Sequence, residues 1–162
     1  MEKEQQEKME KRWQKFQKVQ GYTDEEMTIF RSNPVFVKAM EHAPQFITHR
    51  IIVEVTEAHN CSAGHKAGDR IAVMTGSAHL ITEEMPKYVC AFALLSAVPR
   101  IYAIWDRFYE DLDPNGMMFT TVHCPDVGCM RGGWGELIMK IYAEEVPKEQ
   151  QVKLHDVQED RH

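Results

Sequence analysis

Cysteine stands beside histidine or aspartate in two stretches of this chain, His59-Asn60-Cys61-Ser62-Ala63-Gly64-His65 and His123-Cys124-Pro125-Asp126-Val127-Gly128-Cys129, and a further cysteine, Cys90, lies between them. Sulfur and imidazole together suit zinc, iron or copper. Without a metal, the same groups supply a thiolate nucleophile and an acid–base partner. Cys61 and His65 are four residues apart on a segment that Gly64 and Gly68 allow to turn sharply, a spacing that permits chelation. Cys124 and Cys129 are spaced wider than the usual two-to-four-residue gap of a zinc knuckle, with Asp126 between them as an oxygen donor. Cys61, His65, Cys124 and Cys129 would make one four-ligand set, and Cys61, Cys90 and Cys124 a three-thiol centre. In the metal-free alternative, Cys90 or Cys124 is the nucleophile and His123, His65 or His59 the base. The plainer alternative is that Cys61, Cys90 and Cys124 are small buried hydrophobes, Cys129 an incidental loop thiol and His65 a surface residue.

The elements that must position these residues follow from periodicity. Met9, Trp13, Phe16 and Val19 recur at helical intervals in a Glu, Lys and Gln background, which predicts an amphipathic helix from residue 2 to about 20. Gly21 ends it, and Thr23-Asp24-Glu25-Glu26 is a capping box for a second helix through Phe30. Ser32-Asn33-Pro34 starts a third helix, expected to run to about His42 and stop before Pro44. From Ile47 the character changes. His49 to Glu57 alternates and is β-branched, Arg70 to Met74 reads as a second strand, and residues 64–69 as the turn between them. Thr82-Glu83-Glu84 is expected to cap a helix from Met85 to Tyr109 that carries Cys90 on its first half and that Pro99 kinks or splits. Met117 to Val122 and Trp134 to Ala143 read as two further strands, the last with Leu137, Met139 and Ile141 on one face. The order predicts an α+β fold, a small antiparallel sheet packed on one long kinked helix with an N-terminal helical arm. The expected divisions are the arm at 1–46, the Cys-motif domain at 47–146 and a flexible polar tail at 147–162.

Composition narrows the function classes. At 162 residues with 43% apolar content there is enough for one core, and a net charge of −6 repels a nucleic-acid backbone. The basic cluster Lys8, Lys11, Arg12, Lys15 and Lys18 alternates with glutamates and reads as a solvated helix. No apolar run suggests a membrane span or a leader, so a cytoplasmic protein with reduced thiols is expected. The glycine signatures of nucleotide binding, a nucleophile elbow and H-E-x-x-H are absent, so no nucleotide cofactor is expected. Ser96, Arg100, Tyr102, Trp105 and Arg107 could line a pocket for an anionic or aromatic molecule, or form core.

The stretch Cys61-Ser62-Ala63-Gly64-His65-Lys66-Ala67-Gly68-Asp69, followed by Cys90 and by Cys124-Pro125-Asp126, resembles the signature of a family of small uncharacterised prokaryotic proteins, often from anaerobes. The resemblance covers about residues 47 to 145. It implies a shared small α+β fold and a link to anaerobic metabolism, with no established activity. It also implies that Cys61, Cys90 and Cys124 are the family-wide set, since the His65 position can be tyrosine in relatives. Cys129 and the loop Gly132-Gly133-Trp134-Gly135, like the arm, look like features of a longer subgroup.

Three functional readings follow. The first is a site that binds zinc or iron and acts on a small molecule. The second is an accessory or scaffolding subunit, docking a larger enzyme or a second copy through the Met9-Trp13-Phe16 stripe. The third is a metal-free thiol and histidine lyase or isomerase.

Overall fold

A computed structural model describes residues 2–151 of the chain. Four helices come first: α1 (Glu2–Gln20), α2 (Asp24–Ser32), α3 (Pro34–Glu41) and α4 (Ala43–Thr48). The capping box at α2 forms as the sequence predicts, with the Glu26 N–H donating to Thr23 Oγ1 at 3.2 Å and the Thr23 N–H to Glu26 Oε2 at 2.7 Å. Those contacts hold the Glu26 carboxyl below the usual carboxylate range. Helix α3 ends at Glu41, before Pro44 as expected, but a further helix the sequence reading did not include, α4, carries Pro44 as its second residue. The proline lies in the first turn, where its missing N–H leaves no bond unmade.

The apolar stripe of α1 is covered from within the chain. Trp13, Met27 and Met40 are buried together, with Met9, Phe16, Tyr22, Phe30 and Val37 packed around them. The Trp13 and Phe30 rings meet edge to face at 6.1 Å, and the Arg31 guanidinium lies over Trp13 at 5.3 Å. The stripe that would dock a partner is thus occupied by α2 and α3.

The sheet comprises β1 (His49–His59), β2 (Arg70–Thr75), β3 (Thr121–His123) and β4 (Glu136–Glu145), all antiparallel, in the order β2-β1-β4-β3. Helix α5 (Ala91–Tyr109) covers one face. Ile51, Val53 and Val55 of β1 and Leu137, Met139 and Ile141 of β4 are buried against Ala93, Ala97, Ile104 and Phe108 of α5. In β4 this is the period-two pattern of a half-buried strand meeting the period-3.6 stripe of a helix, whereas in β1 Ile52, on the other face, is buried as well.

Three boundaries depart from the sequence reading, each for a physical reason. Helix α5 starts at Ala91, not Met85. Pro86 disfavours helical backbone at Met85, whose ψ is 157°, and residues 82–84 form only a separate 3-10 turn. Strand β3 is three residues long because the Asn115 side chain pairs with Ala143, accepting its N–H at 2.8 Å and donating to its carbonyl at 2.9 Å. Strand β4 starts at Glu136 because the N–H groups of Trp134 and Gly135 go to the Asp126 carboxylate. Pro99 lies inside α5 without splitting it. It stands on the exposed side, where the Leu95 carbonyl left without its helical partner can turn to water.

That exposed side is apolar: Phe92 is 71% exposed, Leu95 65% and Tyr102 68%. Among the described residues, no helix is long and apolar enough to cross a membrane. Residues 148–151 form a helical turn, and the rest of the expected tail, 152–162, lies outside the described residues.

Candidate functional site

Three chain reversals meet at one end of the sheet. Cys61 follows β1 through a turn at Asn60, whose φ is +48°. Cys124 follows β3, and Cys90 is the N-cap residue of α5. All three thiols line one cavity of about 300 Å³, with Phe92, Asp126 and Glu136 among its other walls. Close backbone packing shapes it: a Cβ on Gly135 would come within 2.5 Å of the Asn60 carbonyl carbon.

The three sulfurs differ in environment. Cys124 is buried, its Sγ accepting the Leu137 N–H at 3.2 Å and facing the Asp126 carbonyl at 3.4 Å. Cys61 and Cys90 are half-buried, and all four cysteines are free thiols. Cys90 makes no side-chain capping bond, so the N–H groups of the first turn of α5 have no helical partner and face the end where the cavity lies.

His65 is buried, not on the surface, and at 5% exposure it supports the cavity wall. Its Nε2 accepts the Cys90 N–H at 3.1 Å, which assigns the ring proton to Nδ1, 3.6 Å from the Asp69 carboxylate. This explains why Cys90 sits at a helix boundary: its N–H, which a helix continued from Met85 would have used, is taken by a side chain 25 residues earlier.

Asp126 pins the following loop. Its Oδ1 accepts N–H groups from Trp134 at 2.8 Å and Gly128 at 3.2 Å, and its Oδ2 that of Gly135 at 3.0 Å. The Gly135 and Trp134 N–H groups hold this carboxyl below the usual range. With both oxygens engaged, Asp126 serves as a brace.

Cys129 and His123 lie apart from the other candidates. Cys129 is exposed in a 3-10 turn and does not line the thiol cavity. His123 precedes Cys124, and the strand pleat sends it to the opposite face of the sheet. There it lines a second cavity of about 640 Å³ with His59, Glu57, Arg131 and Glu136. Glu136 borders both cavities. Sequence reasoning missed it as a site residue, and its one signal was its place at the start of the last strand, directly after the glycine loop.

Of the pocket proposed on α5, Tyr102 is exposed, Trp105 Nε1 donates to the Gly76 carbonyl at 2.5 Å, and Arg107 Nε to the Asp113 carbonyl at 2.5 Å. Trp105 and Arg107 thus tie α5 to its surroundings. Among the described residues, no three His, Cys, Asp or Glu side chains are already drawn together as about an ion.

Comparison with known proteins finds no match to this chain among family models, curated proteins or solved structures.

Proposed function

We propose that the protein is a Cys-centred small-molecule protein in which Cys61, Cys90 and Cys124 hold a zinc or iron ion. The observation that supports this is the shared cavity: three thiols from three separate chain reversals line it, while the fourth thiol does not. The Leu137 N–H aimed at Cys124 Sγ is the kind of contact that orients a metal-bound sulfur. Binding requires the Cys61 and Cys90 side chains to rotate towards Cys124, and neither is locked by a hydrogen bond of its own sulfur. Three sulfur ligands leave a tetrahedral ion one further position, and the cavity is the source of a small polar ligand for it. An ion so held would supply Lewis-acid activation of that ligand, and Glu136, which borders this cavity, would carry a proton when released from its contact with His123.

One observation favours a second reading, metal-free thiol chemistry: Cys90 stands at the N-terminus of a 19-residue helix. In that reading Cys90 attacks, and the free N–H groups of the first turn receive the oxyanion that forms. His123 is on the other sheet face, so Glu136 replaces it as the proton carrier.

The test is elemental analysis of protein purified without oxygen and without a metal-binding tag, with a thiol count. About one zinc or iron per chain, lost in Cys61→Ser, Cys90→Ser and Cys124→Ser and retained in Cys129→Ser, is expected. No metal, with Cys90 alkylating much faster than the other thiols, replaces the first reading by the second. Equal, slow alkylation of metal-free protein ends both.

A further inference from the structure

The geometry points to a second site, behind the first: a divalent-metal site on the sheet face opposite α5, formed by His59, Glu136 and His123 on three adjacent strands. Glu136 lies directly opposite His59 across the β1–β4 ladder, and His123 pairs with Ile138, two residues further along β4 and on the same face. Glu136 is therefore a neighbour of both, of His59 directly opposite, where Cβ atoms are about 4.5–5.5 Å apart, and of His123 on the diagonal, at about 7–8 Å.

This grouping depends on one irregularity in β1. Val55 pairs with Met139 and Glu57 with Ile138, so Thr56 is an extra residue with no partner of its own in the ladder. Strict alternation after the buried Val55 would point Glu57 and His59 towards α5. The bulge shifts the phase by one, and Glu57 and His59 instead share the outer face with Glu136 and Ile138, all lining the 640 Å³ groove.

A second, independent observation concerns His123. Its Nδ1 lies 2.5 Å from the Cys124 carbonyl, and its Nε2 lies 3.3 Å from Glu136 Oε2. The carbonyl can only accept, so Nδ1 carries a proton. Nε2 then either carries a second proton, as an imidazolium paired with Glu136, or presents its lone pair to a cation that the carboxylate also binds. A backbone carbonyl fixing one ring nitrogen leaves the other, beside a carboxylate that can share the ion, available as a metal ligand. His59 needs only to leave Asn60, whose amide donates to His59 Nε2 at 3.1 Å, to bring a third ligand from the exposed rim.

Two imidazoles and one carboxylate on one side of an ion leave positions open to the groove, a donor set suited to Zn²⁺, Fe²⁺ or Mn²⁺. Arg131, with Nη1 3.9 Å from Glu136 Oε2, places a positive charge on the rim, so an anionic ligand for the ion is favoured over a cationic one.

The test uses the full chain stripped of metal and dialysed against Co²⁺. The expected result is one equivalent of Co²⁺ that His59→Ala and His123→Ala each weaken tenfold or more, without affecting any sulfur-to-cobalt charge-transfer band from the thiol cavity. His59 is exposed, so its variant is expected to keep the fold, checked by circular dichroism. If no bound Co²⁺ responds to either histidine substitution, the contact between His123 and Glu136 is a proton-bridged ion pair and the metal site does not exist. A charge-transfer band that persists in that case leaves the thiol reading standing, so the two failures are separable.

Discussion

Replacing His65 tests whether a buried side chain, distant in sequence, sets the position of Cys90. His65→Ala removes the acceptor of the Cys90 N–H and empties the space of a ring that is 5% exposed. An orphaned buried N–H costs about 1–3 kcal/mol. Water can reach a half-buried residue, which places Cys90 in the lower half of that range. Lost packing of the ring adds about 1–2 kcal/mol. The sum is about 2–4 kcal/mol, equivalent in a chain of this length to a fall in Tm of roughly 5–15 °C. His65→Phe keeps a ring of similar size and removes the acceptor together with the Nδ1–H that faces Asp69, so it separates the polar contacts, chiefly the hydrogen bond at about 1–2 kcal/mol, from the packing. Urea denaturation of the three proteins gives the stabilities. Alkylation of Cys90, followed by mass spectrometry, reports the local effect, and both variants should react faster as the first turn of α5 loosens. A Phe variant as stable as the parent, with Cys90 reacting at the parental rate, would refute the reasoning.

Asp126→Ala is expected to destabilise the protein at pH 7, and the gap should narrow under acid. The native carboxyl titrates below the ordinary aspartate value of 3.8, held down by the Gly135 and Trp134 N–H groups. Its stabilisation is therefore present above the unfolded pKa and disappears as pH falls through the lowered native value. Urea midpoints of both proteins at pH 7 and pH 3 check this, and a constant gap contradicts it. Gly135→Ala should cost about 1–3 kcal/mol and open the thiol cavity, because its Cβ would enter the Asn60 carbonyl. Gly64→Ala is the companion measurement: φ is +75° and nothing lies within 4 Å, so only the backbone cost of about 1–2 kcal/mol applies. Equal cavity opening in both glycine variants would count against the steric account.

Much of the fold was legible because local rules decided it. Ile51, Val53 and Val55 and then Leu137, Met139 and Ile141 announce buried strand faces by alternation, and Thr23 with Glu26 announces a helix start by side-chain reach. What was illegible depends on partners distant in sequence. Cys90 marks a helix boundary because of His65, β3 is short because of Asn115, and β4 begins late because of Asp126. The loop cysteines were visible as types, but their partition was not. The pleat separates His123 from Cys124, and the Asp126 brace leaves Cys129 outside, so the sequential clusters are not the spatial ones. Glu136 and the Thr56 bulge had no motif at all, since both acquire meaning only from strand register.

The arm and the sheet bury separate clusters that share no residue, one around Trp13, Met27 and Met40 and the other around Phe108 and Met139. They are joined by α4, where Phe46 meets Trp105 at 5.3 Å and Phe108 at 5.6 Å, and by polar contacts to the end of α5, among them the Lys38–Glu110 ion pair at 2.5 Å, Lys38 over the Tyr109 ring at 4.9 Å, and Gln45 and His42 with Asp111. Two clusters with no shared buried residue are expected to behave as two cooperative units. Amide hydrogens of α1 to α3 are expected to exchange through an opening of their own, at a lower free energy than those of β1 and β4. The arm can thus come and go while the sheet, with the thiol cavity at its end, stays closed.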